Sequence, residues 1–258
     1  MKKFFSVFVI GLFVFTACAS EKKGTEEKVY DSDFVETLAK ALHDRWETNE
    51  TANGSEAERL EKVTQIEIDE FSKKDFANKK FKDNKLKELA IAYINELDDG
   101  IKVTKESSAK SLISNWEEHY ARRSKLLVEI NEKKKIPLDN EDEKIFKELL
   151  NSGNEFKEQE AFDTKLNLLL QSFHFDQKPQ EFESEWKEYE AVTENNTGSN
   201  IKSFSANVYL EDAAGTRVDT QYLNTQDWDS GQKVTFTFTT NKEFSKITVT
   251  KNFIELAK

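Results

Sequence analysis

One cysteine, one methionine and two prolines are all that 258 residues contain of those types. A lone cysteine excludes an internal disulfide, so stability outside a reducing compartment has to come from packing rather than cross-links. The three histidines, His43, His119 and His174, are far apart, and none has a second histidine at H-x-x-x-H spacing, so no zinc motif is present. There is no Gly-rich phosphate loop and no G-x-S-x-G nucleophile elbow. Positive charge is in short supply: 38 Lys+Arg face 49 Asp+Glu, for a formal net charge of −11. That balance argues against nucleic acid as a partner and against a polybasic grip on anionic lipid. The apolar run from Phe4 to Ala17 spans 14 residues, whereas a membrane-crossing helix needs about 20.

Aromatic side chains are abundant, with 20 Phe, 4 Trp and 6 Tyr, enough to bury substantial cores. The N-terminus is patterned: Met1-Lys2-Lys3, then the apolar run, then the only cysteine, Cys18. A charged start, a short apolar stretch and small residues before a cut predict a signal peptide over 1–17, cleaved between Ala17 and Cys18. Phe15-Thr16-Ala17-Cys18 resembles the lipobox of bacterial lipoproteins, with Phe15 where leucine is usual. The resemblance implies that Cys18 receives a diacylglycerol and becomes the mature N-terminus. An ordinary secretory signal and an uncleaved anchor are the competing readings. Loss of residues 1–17 removes Lys2 and Lys3 and no acid, so the mature chain is more acidic still. Residues 18–30 read as the lipidated cysteine and a charged, flexible spacer.

From 31 to 171 the apolar spacing is helical. Phe34, Leu38, Leu42 and Trp46 fall at steps of four, with Asp31 or Ser32 available to cap. Ser55 and Glu58 form a capping box before Leu60, Val63, Ile66 and Phe71. Lys73 to Asn84 reads as a frayed helix or a connection. Leu86, Leu89, Ala90, Tyr93, Ile94 and Leu97 form the clearest stripe, with Asp98-Asp99-Gly100 expected to end or weaken the helix. Leu112, Trp116, Tyr120, Leu127 and Ile130 form another, ended before Pro137, and Asn140 with Glu143 is positioned to cap a last long helix. Trp46, Trp116 and Tyr120 lie on these stripes and read as core rather than as a ligand platform. An antiparallel bundle of four or five helices follows.

Near residue 172 the period changes from 3.6 to 2. Strands are expected at Ser172–Phe175, around Trp186 to Val192, at Ile201–Leu210 with a slip in its alternation, at Thr216–Thr225, at Val234–Phe238 and at Ile247–Val249. Turns are expected at Asn195–Gly198, Glu211–Gly215, Asp227–Gly231 and Asn241–Phe244. His43 and His119 should sit on helix surfaces, His174, between two apolar neighbours, should point away from their face, and Trp186 should pack inside. The expected class is therefore α+β and multidomain, with a helical domain over 31–171 and a small Ig-like antiparallel β-sandwich over 172–258.

The segment Trp186–Thr240 resembles the FxLYD domain, an Ig-like module of bacterial envelope proteins. The residues that carry this are the Glu194–Gly198 turn, Val208-Tyr-Leu-Glu-Asp212 ahead of Gly215, Tyr222-Leu-Asn-Thr225, Trp228, Gly231 and Val234–Phe238. Leu210 matches the name-giving Leu, Val208 stands near the Phe position, and Glu211-Asp212 replaces Tyr-Asp. The whole layout resembles helix-plus-FxLYD lipoproteins of Gram-positive bacteria. The resemblance implies a fold and a location and supplies no catalytic residues.

Asp227 and Asp229 beside Gly231 are the nearest approach to a calcium loop, but D-W-D-S-G lacks the full ligand pattern and reads as a turn. Trp228 in that turn is either an exposed contact or a cap on the β core. No catalytic residue, metal ligand or cofactor is expected; Cys18 is the expected lipid site. The chain reads as a non-enzymatic, lipid-anchored lipoprotein on the extracytoplasmic face of the cell membrane. It would bind an envelope protein or a cell-wall partner. A transporter's substrate-binding lipoprotein and an envelope hydrolase are the alternatives.

Overall fold

Asp31 opens the first helix without capping it. In the computed structural model, which describes residues 28–257, its carboxylate turns away to accept the backbone N–H groups of Lys82 (2.8 Å) and Asp83 (3.0 Å). The expected signal peptide and Cys18 lie outside the described residues. The end of the expected spacer is already docked: Tyr30 donates its N–H to Lys80 O at 2.9 Å and packs on the helical core.

Among the described residues, five α-helices precede two small antiparallel sheets. The helices are α1 (Asp31–Thr51), α2 (Glu56–Ser72), α3 (Asn84–Glu106), α4 (Leu112–Lys133) and α5 (Asp142–Gln171). The Ser55–Glu58 capping box forms as the sequence predicts, because both partners lie within one turn. Lys73–Asn84 is a connection holding a single 3-10 turn at Phe76–Asn78. Its Phe76 and Phe81 join Phe34 and Phe71 in a buried aromatic cluster; Phe34 meets Phe76 edge-on at 5.4 Å.

Two local expectations are corrected. Helix α3 does not stop at Gly100 but runs to Glu106. Glycine is there for packing: a Cβ at 100 would lie 2.7 Å from the His119 ring of α4. Asn140 does not cap α5. Asp139 does, accepting the N–H groups of Glu141 (3.0 Å) and Asp142 (2.9 Å). Gly153 of α5 lets that helix approach α4 closely, since a Cβ there would sit 2.4 Å from Ser124 O.

The strands are β1 (Asp176–Gln177), β2 (Lys187–Glu194), β3 (Ile201–Glu211), β4 (Arg217–Trp228), β5 (Lys233–Thr240) and β6 (Lys246–Leu256). They form sheets ordered β1-β2-β5 and β4-β3-β6, each antiparallel. The first strand thus starts just after the expected Ser172–Phe175. The two sheets face each other across one core. Phe204, Val208 and Leu210 of β3 and Leu223 of β4 meet Ala191 of β2 and Phe236 and Phe238 of β5. The slip in β3 is a bulge between Ile201 and Ser203.

The packing boundary does not coincide with the change of period. Phe146 and Leu149, early in α5, belong to the helical core, whereas Phe162, Leu166 and Leu169 belong to the sandwich core. Phe173 and Phe175 extend that contact, reaching Phe236 at 5.1 Å and Phe238 at 5.0 Å. One long helix therefore serves both cores.

Candidate functional site

Charged residues sit at apolar positions of the helical stripes. Glu67 follows Val63 and precedes Phe71 by four residues, and Arg123 precedes Leu127 by four. A side chain on the core face of a helix is carried inward whatever its chemistry. Glu67, Arg45 and Arg123 are accordingly buried, at 0%, 8% and 1% exposure.

They meet as one cluster. Glu67 Oε1 accepts from Arg45 Nη1 and Arg123 Nη2, both at 2.7 Å, and its Oε2 accepts from the Tyr93 hydroxyl. Four helices are joined this way: α1 by Arg45, α2 by Glu67, α3 by Tyr93 and α4 by Arg123. Burial opposes ionisation of Glu67, but the two guanidinium groups outweigh it and hold the carboxyl below its ordinary value. Burial also works against Arg123, and Glu67 and Tyr93 more than restore its charge. Arg45 is pushed down by burial and then by Arg123. Tyr93 is pushed up chiefly by burial and stays neutral. One carboxylate thus balances one of two guanidinium groups, leaving a buried excess of positive charge. Arg123 Nε has no hydrogen-bond partner among the described residues.

A cavity of about 220 Å³ opens over this cluster, lined by Arg45 and Arg123 and walled by Trp46, Trp116 and Tyr120. The three aromatics are half-buried. Trp46 and Tyr120 pack partly on the helical core, as expected, but all three also present surface to the cavity. Arg45 lies 6.0 Å from the Trp116 ring centroid. Beside it, His119 is fully buried rather than on the helix surface where the sequence places it. Its ring packs on Trp116 at 4.7 Å and its Nδ1 is 2.8 Å from Glu96 Oε1, which also accepts from Arg122 Nε at 3.1 Å. Burial pushes His119 down, only partly offset by Glu96. Glu67, with three donors on it, is not available as a base. Fixed positive charge beside aromatic walls is suited to holding an anion.

A second cluster joins His43 of α1 to Asp139 and Asp142 at the start of α5, with one ligand-type atom from each within 4.8 Å of the others. Its working contact is His43 Nδ1 to Asp142 Oδ2 at 3.0 Å. The hydrogen bond to Asp142 raises His43 above its ordinary value. A raised folded-state value means the contact contributes fully below 6.5, the unperturbed value, and is lost as pH rises through the folded-state value. His43 is 43% exposed on its side chain, so solvent screens the pair to about 0–1 kcal/mol. His43→Gln should therefore lower stability slightly at pH 5.5 and not at pH 8, as read by urea unfolding. An equal loss at both would assign His43 a packing role instead.

In the β half the sequence is corrected on one tryptophan and borne out on the other. Trp228 is not an exposed contact; it closes the β core at the end of β4. It is 0% exposed, with its ring 5.3 Å from both Phe204 and Phe236 and its Nε1 donating to Gln232 O at 2.9 Å. Trp186, expected inside, is 56% exposed. His174 is exposed and points away from its apolar neighbours, as predicted. Asp227 takes a left-handed conformation at φ 49, and Asp229 O closes the turn by accepting from Gln232 N at 3.0 Å.

The charged cluster escaped the sequence because charged residues make up 34% of the chain. The available signal was a charge standing in register with an apolar stripe. Among the described residues no helix is long and apolar enough to cross a membrane. No family model matches the chain, and no curated protein or solved structure matches it significantly.

Proposed function

We propose that the chain is a non-enzymatic binding lipoprotein, held on the extracytoplasmic face of a bacterial cell membrane through lipid on Cys18. The observation that carries this reading is the N-terminal order: Lys2-Lys3, a 14-residue apolar run too short to span, and Phe15-Thr16-Ala17-Cys18. Two or more acyl chains give stable attachment where one gives only marginal binding. The acidic surface supplies no electrostatic grip of its own, so the lipid would carry the attachment. Tyr30, twelve residues beyond Cys18, is docked on the helices. In this arrangement the β-sandwich is an FxLYD-like module and the helical half carries the binding pocket over Arg45 and Arg123.

Cys18→Ala should move the protein from the membrane fraction to the soluble fraction and abolish incorporation of radiolabelled palmitate, with the folded body's melting unchanged. Equal labelling of both forms would defeat the lipoprotein reading.

A further inference from the structure

The pocket in the helical half has one chemical peculiarity, its unbalanced buried charge. We infer that it binds a small monocarboxylate carrying one planar ring, with the carboxylate on the Arg45–Arg123 floor and the ring between Trp46, Trp116 and Tyr120. This rests on reading the chain as a binding protein and names the ligand class for that pocket.

Three observations lead there. First, two buried guanidinium groups share one buried carboxylate. A single added negative charge completes the balance, whereas a phosphate dianion would overshoot it. Glu148 also lines the cavity, but it is exposed at the mouth and solvated. Second, Arg123 is 1% exposed, lines the cavity and has an unpartnered Nε. A buried donor without an acceptor is uncommon in native proteins, so this guanidinium is under-compensated, and a carboxylate held in the cavity beside Arg45 would offset its charge. Arginine in a confined site is the side chain that best matches the planar carboxylate. Third, the walls are aromatic and half-buried, so a flat ring gains contact on two sides. A cavity of about 150 Å³ holds one benzene ring, and this one measures about 220 Å³. A ring with a carboxylate fits this space.

Isothermal titration calorimetry of the full chain in detergent micelles tests this with three probes, using micelles alone as the blank. Benzoate should give a saturable heat, and titration should also change the tryptophan emission, because Trp46 and Trp116 line the site. Benzamide has the same ring without the charge and should bind about tenfold more weakly or worse. Acetate has the charge without the ring and should lose a similar factor. Ile145 lines the mouth and is 40% exposed, so Ile145→Trp should fill the opening without disturbing the core. It should weaken benzoate about tenfold or more while circular dichroism and melting stay as in the parent.

No saturable heat with benzoate overturns the proposal. Equal binding of benzamide overturns the anion requirement, and equal binding of acetate overturns the ring requirement. Undiminished benzoate binding by folded Ile145→Trp places the site elsewhere and overturns the assignment. Palmitate labelling at Cys18 is read independently, so failure of the ligand class and failure of the tethered-lipoprotein reading are told apart.

Discussion

Glu67→Ala should destabilise the helical half by about 3–5 kcal/mol, because removing one partner of a buried ion pair leaves the other charge uncompensated. Here two partners are stranded, since Arg45 and Arg123 both donate to Glu67 Oε1. The Tyr93 hydroxyl loses its acceptor as well. Such a loss is a large part of the roughly 5–15 kcal/mol available to a domain. Glu67→Gln keeps an acceptor oxygen and should lie between the parent and the alanine variant. Replacing Arg45, Glu67 and Arg123 together with apolar residues of similar volume should recover much of the loss, because the desolvation of the charges goes with them. Urea unfolding followed by far-UV circular dichroism measures all three. A loss below about 1 kcal/mol for Glu67→Ala would mean that the cluster behaves as an exposed pair.

Acid gives a second view of the same residue. The folded-state value of Glu67 lies below 4.5, so its contribution is complete above 4.5 and is lost as pH falls through the folded-state value. The Glu67→Gln variant should show a shallower acid dependence than the parent. His119, whose value is lowered by burial, also favours the folded state less as pH falls, and it remains in both proteins, so their difference isolates Glu67.

The second large effect is expected at Trp228. Truncating a buried tryptophan or phenylalanine to alanine costs about 3–5 kcal/mol. Trp228 packs on Phe204 and Phe236 at once, and its indole N–H is satisfied by Gln232 O. Buried Asn195 ties the same corner together: its Nδ2 donates to Trp228 O and to Ser199 O, each at 2.9 Å. Trp228→Ala and Phe236→Ala should therefore melt the sandwich at similarly reduced temperatures. Trp186→Ala, at an exposed position, should stay within about 0.5 kcal/mol of the parent. Near-UV circular dichroism and thermal melting of the three variants decide the matter. A thermally silent Trp228→Ala would return that residue to the surface.

Much of the layout was readable because it depends on residues close together in the chain. The Ser55–Glu58 box closes within one helical turn. Phe34, Leu38 and Leu42 reveal α1 by period alone, and alternation of threonine with Phe236 and Phe238 reveals β5. The slip in β3 was visible as a three-residue gap between Ile201 and Phe204. The candidate site was not readable in this way. Arg45, Glu67, Tyr93 and Arg123 come from four helices, and nothing local distinguishes them from the many solvated charges around them.

What the sequence determined by itself is therefore the class and order of elements, helices first and antiparallel strands after, through apolar period and turn chemistry. The tertiary structure decided the roles of particular residues. Gly100 could have ended α3, but a histidine from another helix needs that space. Trp228 could have been a surface contact, but the left-handed Asp227 and the facing Phe236 place its ring in the core. The end of α5 could have closed the helical half, but the sandwich takes Phe162, Leu166 and Leu169 into its own core. The physical reason is common to all three. Local propensity depends on neighbours along the chain, whereas burial and charge compensation depend on what other elements bring alongside, and only packing sets that.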